Sequence, residues 1–427
     1  MNNIKLRLIA MNFLQFAVWG SYLTSMGTML AGLGLAKNIG IFYAMQGVVS
    51  LFMPAIIGII ADRKIQAQRL LGICHLLAAL FMAASAYVIS TASGTPNLNL
   101  LLTLYTFSVA FYMPTLALSN SVAYTALEKN GLDTVAAFPP IRVWGTVGFI
   151  CAMLVCDFAG FQATYMQFYQ SAILGIMLAG YALTLPTCPV NTLQDKRSFI
   201  DSFGLRAFAL FKQKKMAMFF IFSMLLGVSL QITNGFANLF ITSYESIPEY
   251  ANTFAAQHAN ALISLSQVSE TLCILLIPFF LKRFGIKIVM LIAMFAWVLR
   301  FGLFGVGNPG DGVWMFVLSM IVYGVAFDFF NISGSLFVNN ETDASIRSSA
   351  QGLFMIMTNG IGATLGTLGA QAVVDHHVFS QSSPMAMAEG WSTTWLIFAG
   401  YALVVALAFW VLFKYKHEPN KLTNIKH

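Results

Sequence analysis

Apolar positions in this chain do not alternate with polar ones; they gather into long uninterrupted runs. About twelve runs reach roughly 20 residues: 8–31, 40–60, 70–91, 98–126, 141–160, 166–187, 216–243, 258–281, 286–306, 313–338, 347–373 and 391–413. Such a run is long enough to cross the hydrocarbon core of a bilayer. A spanning segment must be helical there, because unpaired backbone groups cannot face lipid. The pattern therefore predicts an all-α membrane protein with twelve transmembrane helices.

Charge supports that count. Lys5 and Arg7 precede the first run, and Arg63, Lys64 and Arg69 follow the second. Lys129 follows the fourth, Lys282, Arg283 and Lys287 follow the eighth, and Arg347 follows the tenth. Lys414, Lys416, Lys421 and Lys426 follow the twelfth. With twelve spans all of these fall on one side, which the positive-inside rule makes cytoplasmic, along with both termini. The other side holds Lys37 and, on this reading, Arg300, together with Glu245, Glu249, Asp311, Asp375 and Glu389. The longest polar interval, rich in Lys and Arg, lies near the middle of the chain. It divides the sequence into an N-terminal six-helix bundle (1–188), a cytoplasmic linker (189–215) with an amphipathic stretch at 202–211, and a C-terminal six-helix bundle (216–427).

Composition narrows the class further. Of 427 residues 58% are hydrophobic and only 9% charged, too few charges to cover a soluble surface. The net charge of +7 is explained by orientation in the membrane, so nucleic acid is not an expected partner. The five cysteines lie in or at the end of spans and read as packing residues, and no cleavable signal is expected at 1–7. No P-loop, zinc-protease or nucleophile-elbow pattern is present, so an enzyme is not expected and concentrating power must come from an ion gradient.

The informative residues are the polar ones inside the spans. The tenth run contains LSMIVYGVAFDFFN (318–331), with Asp328 among Phe327, Phe329, Phe330 and, one turn back, Tyr323. A carboxylate at that depth costs at least about 2.5–3.5 kcal/mol, so it faces a bundle interior and serves an ion or substrate path. The alternative is a protonated Asp that only bonds a neighbouring helix. Arg142, Thr146 and Phe149 recur at i, i+4 and i+7 behind Pro139-Pro140, which suit a helix start. Arg142 could equally be a snorkelling flank charge. Gln231 with Asn234, and Gln267 with Glu270, are i, i+3 pairs that each point one way, toward a ligand or toward another helix. Gly360, Gly362, Gly366 and Gly369 read as close-packing positions, His75 as a buried, satisfied histidine, and His376-His377 as an outer-loop pair with no metal site expected. Amides, carboxylates and stacking rings suit a nucleobase with its ribose, and suit a sugar nearly as well.

The loop Gly58-x-x-x-Asp62-Arg63-Lys64 is echoed 220 residues later by Pro278-x-x-x-Lys282-Arg283-x-Gly285-x-Lys287. Six plus six spans with this echo resemble the major facilitator superfamily, although the first copy lacks the second Gly and the second copy lacks the Asp. That resemblance implies two bundles rocking about a central site. The blocks FPPIRVWGTVGFI, FFIFSMLLGVSLQITN, SQVSETLCILLIPFFLKRFGIK, LSMIVYGVAFDFFNISGS and WLIFAGY, with the terminal FKYKH, closely resemble the bacterial nucleoside:proton symporter family. The resemblance implies that Arg142, Thr146, Phe149, Gln231, Asn234, Gln267, Glu270, Tyr323 and Phe327 line a nucleoside site. It implies proton coupling at Asp328, with Glu270 as the second candidate. The expected partners are a nucleoside, a proton and the lipid bilayer, with no cofactor and a monomeric chain in the bacterial inner membrane. A sugar permease and a flux-less substrate sensor are the rival functions.

Overall fold

The computed structural model describes residues 2–188, 205–343 and 346–415. Among them the regular structure is helical and no β-strand occurs. The chain divides into two compact units, Met1–Arg197 and Ser198–His427. Most of the expected linker lies outside the described residues. Its end is visible as a 3₁₀ helix, Leu205–Lys212, with Ala207 and Leu210 buried. The basic residues from Lys416 onward, and the side chains of Asp62 and Arg63 in the first loop motif, also lie outside what is described.

Unit 1 contains α1 (Asn2–Gly20), α2 (Met26–Gly32), α3 (Ile39–Ser50), α4 (Met53–Arg63), α5 (Ala67–Ser90), α6 (Leu98–Lys129), α7 (Thr134–Phe158) and α8 (Met166–Ala182). Unit 2 contains α9 (Lys214–Ser243), α10 (Ala259–Ile274), α11 (Ile277–Val306), α12 (Val313–Glu341), α13 (Arg347–Met355), α14 (Ala363–His377) and α15 (Pro384–Leu412). A π-helical stretch, Ile356–Gly362, joins α13 to α14.

Nine stretches among the described residues are long and apolar enough to cross a membrane, and they account for predicted spans 2–5, 7 and 9–12. The other three predicted spans are short or broken, for local reasons. Span 1 stops at Gly20 and resumes at Met26. At the start of the gap Ser21 still reaches back to the Ala17 carbonyl through both its N–H, at 3.1 Å, and its hydroxyl, at 2.8 Å. Span 6 is reduced to the 17 residues of α8. Span 8 breaks after Ile274, because Pro278 has no N–H to give to that turn. Its remainder begins α11, which then reverses at Gly285, where φ is 77°. The left-handed backbone there explains the Gly in the second loop motif.

Two further expectations need correction. Helix α7 starts at Thr134, so Pro139 and Pro140 lie inside it rather than at its start. They fall just beyond the four N–H groups that lack partners at any helix end, so each removes one bond from the early ladder. Among the span-11 glycines, Gly362 and Gly366 do abut α9. A Cβ on Gly366 would stand 2.5 Å from the Val228 carbonyl, but one on Gly369 would meet nothing within 4 Å. Gly369 is therefore not a contact position.

Within each unit, one close helix approach sets the geometry of the polar residues. In unit 1, α7 lies against α1 so tightly that a Cβ on Gly148 would be 2.1 Å from the Phe13 carbonyl oxygen. In unit 2, a Cβ on Gly324 of α12 would be 2.6 Å from the Ser269 carbonyl of α10. Backbone blocks both positions, and backbone cannot rotate away. Gly148→Ala should therefore lower stability by about 1–3 kcal/mol, the usual cost of overpacking. Gly180→Ala, which would meet nothing within 4 Å, should not lower it. Thermal unfolding of the purified variants in detergent checks this; equal melting temperatures for Gly148→Ala and wild type would refute the packing account.

Candidate functional site

In unit 1 the α1–α7 contact turns one face of α7 toward the rings of α1. The Arg142 guanidinium lies over Phe16, 3.9 Å from the ring centroid, a cation–π contact. Phe149 meets Trp19 edge-on, with centroids 6.3 Å apart. Arg142 and Thr146 are half-buried and Phe149 is buried. The predicted i, i+4, i+7 face of α7 thus exists as one surface, and Phe16 and Trp19 extend it.

Behind that surface runs a chain of hydrogen bonds that the sequence did not reveal. Trp19 Nε1 donates to Gln46 Oε1 at 3.2 Å, and Gln46 Nε2 donates to the Tyr105 hydroxyl at 2.7 Å. The Thr115 hydroxyl donates to the Tyr112 carbonyl, so it accepts from Gln15 Nε2 at 2.8 Å. Gln15 Oε1 is then the acceptor for His75 Nε2 at 2.7 Å, which fixes the histidine as the Nε2–H tautomer. His75 is fully buried and bonded through Nε2, but its Nδ1 is buried without a hydrogen bond, so the expectation of a satisfied histidine holds at one nitrogen only. A signal for this network was available: Gln15 and Gln46 are amides inside apolar runs.

In unit 2 the α10–α12 approach at Gly324 brings together the residues flanking it. Tyr323 and Phe327 stack with centroids 5.7 Å apart and planes only 3° from parallel. Gln267 of α10 is within hydrogen-bonding reach of the Tyr323 hydroxyl, and Glu270 is close enough to act electrostatically on both Tyr323 and Asp328. Asp328 is the sixteenth of 29 residues in α12, hence at mid-helix, and is 5% exposed. Its Oδ2 is buried and has no hydrogen-bond partner. On α9, Asn234 Nδ2 donates to Gln231 Oε1 at 2.7 Å, so the two amides form one polar unit.

The aromatics around Asp328 separate into two groups. Phe329 packs on Phe280 at 5.1 Å, and Phe330 lies among Phe219 and Phe354; all of these are hydrophobic packing. Phe327 is half-buried and shares the Tyr323 face. One charged residue was misplaced by the sequence reading. Arg300, which the charge pattern counted with the outer side, sits within α11 and is 2% exposed. No group of three or more metal-ligating side chains occurs among the described residues.

Unit 2 thus presents paired amides, two neighbouring carboxylates and a two-ring aromatic stack. Unit 1 presents a guanidinium, a hydroxyl and three further rings. These groups can stack on a planar ring, accept from hydroxyls and hold or pass a proton.

Comparison with known proteins gives these groups a context. Residues 1–418 match the model of a family described as nucleoside H+ symporters. The chain is 49% identical to the nucleoside permease NupG of Escherichia coli strain K12 over 420 residues, 97% of each chain. It is 46% identical to the xanthosine permease of the same strain over 430 residues, covering 100% of this chain and 99% of that one. A crystal structure of NupG matches with a TM-score of 0.88 at 47% identity, over 97% of this chain and 100% of that one. A bacterial homologue of the lysosomal transporter Spinster, only 13% identical, has a TM-score of 0.65 over 96% of each chain and shares the fold alone. The fold is that of the major facilitator superfamily. With a match over nearly its whole length, this chain belongs to the nucleoside:proton symporter family.

Proposed function

We propose that the protein imports nucleosides together with protons, and that Arg142, Thr146, Phe149, Gln231, Asn234, Gln267, Glu270, Tyr323 and Phe327 bind the nucleoside. The observation that carries this reading is the arrangement on α10 and α12. There a flat stack of Tyr323 on Phe327 lies beside Gln267, Glu270 and Asp328, all inside a bundle of apolar helices. The stack offers a π-face to a base. The amides match paired donors and acceptors on a base edge, and a carboxylate accepts from ribose hydroxyls.

Asp328 is the proposed proton carrier, with Glu270 as its neighbour in the same cluster. Desolvation favours the neutral acid, so a carboxylate at mid-helix loads a proton readily and gives it up when water or a cation reaches it. Substrate and proton are coupled when each is bound differently in the outward-open and inward-open forms. The clustering of Lys and Arg on one side supports cytoplasmic termini and a place in the inner membrane. Both sets of candidate residues lie on one chain, which supports a monomeric working unit.

Two experiments test this. In the first, unlabelled nucleosides, free bases and hexoses compete with labelled uridine uptake. Nucleosides should compete strongly, and free bases and hexoses poorly. Strong competition by hexoses alone would overturn the nucleoside assignment in favour of a sugar permease.

The second is Asp328→Asn, which keeps the shape and removes the titration. In proteoliposomes the variant should lose accumulation driven by a pH gradient, and its uptake should no longer rise as external pH falls. Exchange of internal for external nucleoside without a gradient should persist. A folded Asp328→Asn protein that still concentrates nucleoside would remove Asp328 from the coupling role and make Glu270 the carrier to test.

A further inference from the structure

Arg300 is a full cation in the interior of unit 2, and the transport reading above leaves it without a task. At 2% exposure it cannot be snorkelling to an interface. Among the described residues no carboxylate forms an ion pair with it. Its Nε is buried without a hydrogen bond. Burying a guanidinium this way is costly, and packing alone would be served as well by Leu or Met.

What Arg300 does contact is specific. Its Nη1 donates to the Ser319 carbonyl on α12 at 2.6 Å and reaches the Ser266 hydroxyl on α10 at 3.5 Å. The Ser319 hydroxyl donates back to the Arg300 carbonyl at 3.0 Å. The guanidinium carbon lies 4.7 Å from the centroid of the Tyr323 ring. Trp297, one turn earlier on α11, meets the same ring edge-on with centroids 6.0 Å apart. Arg300 therefore braces α10 beside Gln267, braces α12 one turn before Tyr323, and lies over the ring that stacks on Phe327. A ring held by a cation and a neighbouring indole has few rotamers open to it.

We propose that Arg300 is a positioning residue for nucleoside recognition: it fixes the Tyr323 ring, and with it the Gln267–Tyr323–Phe327 wall, without touching the nucleoside. The proposal rests on the nucleoside-binding reading given above. It goes further by placing part of the affinity on a residue remote from the ligand. A residue acting through Tyr323 must lose its effect when the Tyr323 ring is gone, whereas a residue that only stabilises the bundle keeps it.

The test is a double-mutant cycle on uridine dissociation constants, measured by titration calorimetry on purified, monodisperse protein. Arg300→Gln should weaken binding roughly tenfold, as loss of a charged bond and its ring contact would. Tyr323→Ala should weaken it by about as much or more. The double variant should bind within about threefold of Tyr323→Ala alone. Multiplicative losses in the double variant, or unchanged binding by Arg300→Gln where Tyr323→Ala binds poorly, would overturn the proposal. If Arg300→Gln does not fold, Arg300→Lys decides. It keeps a cation over the ring but loses the planar fork, so it should weaken binding by a smaller factor, and only while Tyr323 is present. A wild-type protein that fails to bind uridine would overturn the nucleoside reading itself, an outcome visible before any variant is compared.

Discussion

A bilayer interior tolerates an ionisable side chain only where protein replaces the missing water, and this constraint shapes both halves of the molecule. Asp328 and Glu270 can sit at depth in unit 2 because α10 and α12 approach at Gly324 and enclose them with Gln267 and Tyr323. Arg142 in unit 1 is supported in a comparable way. The glycine contact between α1 and α7 lays Phe16 under its guanidinium. In each unit, then, the residues suited to binding depend on a backbone contact that only glycine permits. Large side chains at Gly148 or Gly324 would disturb the sites before they disturbed the fold elsewhere.

Polar groups left over from this arrangement occur in both units. In unit 1 several join a network from His75 through Gln15 to Thr115, while His75 Nδ1 and the Tyr22 hydroxyl stay buried without partners. In unit 2 the Oδ2 of Asp328 and the Nε of Arg300 remain buried without partners. Unsatisfied buried atoms are costly, so each of these asks for a reason in the fold or in the function.

Much of this was legible in the sequence, because a membrane makes local pattern decisive. Hydropathy alone located nine of the twelve expected spans, and the i, i+3 spacing of Gln231 with Asn234 named a pair that the structure joins by a hydrogen bond. The failures were non-local or backbone effects. Arg300 sits close to the polar stretch after its span, so it looked like a flank charge. Only its partners on α10 and α12 show that it is buried. The break at Pro278 depends on a single residue that average hydropathy overlooks. The π-helical stretch at Ile356–Gly362 adjoins the point where Gly227 would press a Cβ to 2.2 Å from the Thr358 carbonyl, a contact between residues 131 positions apart (358 − 227).

The central claim is that nucleoside and proton move together through this chain. Its most direct test is to add uridine to proteoliposomes holding the wild-type protein, with no imposed gradient and the membrane potential clamped, and to follow external pH. Coupled import predicts that the medium becomes alkaline as uridine enters, in a fixed ratio to the uridine taken up. Uridine entry with no accompanying proton movement would contradict the account.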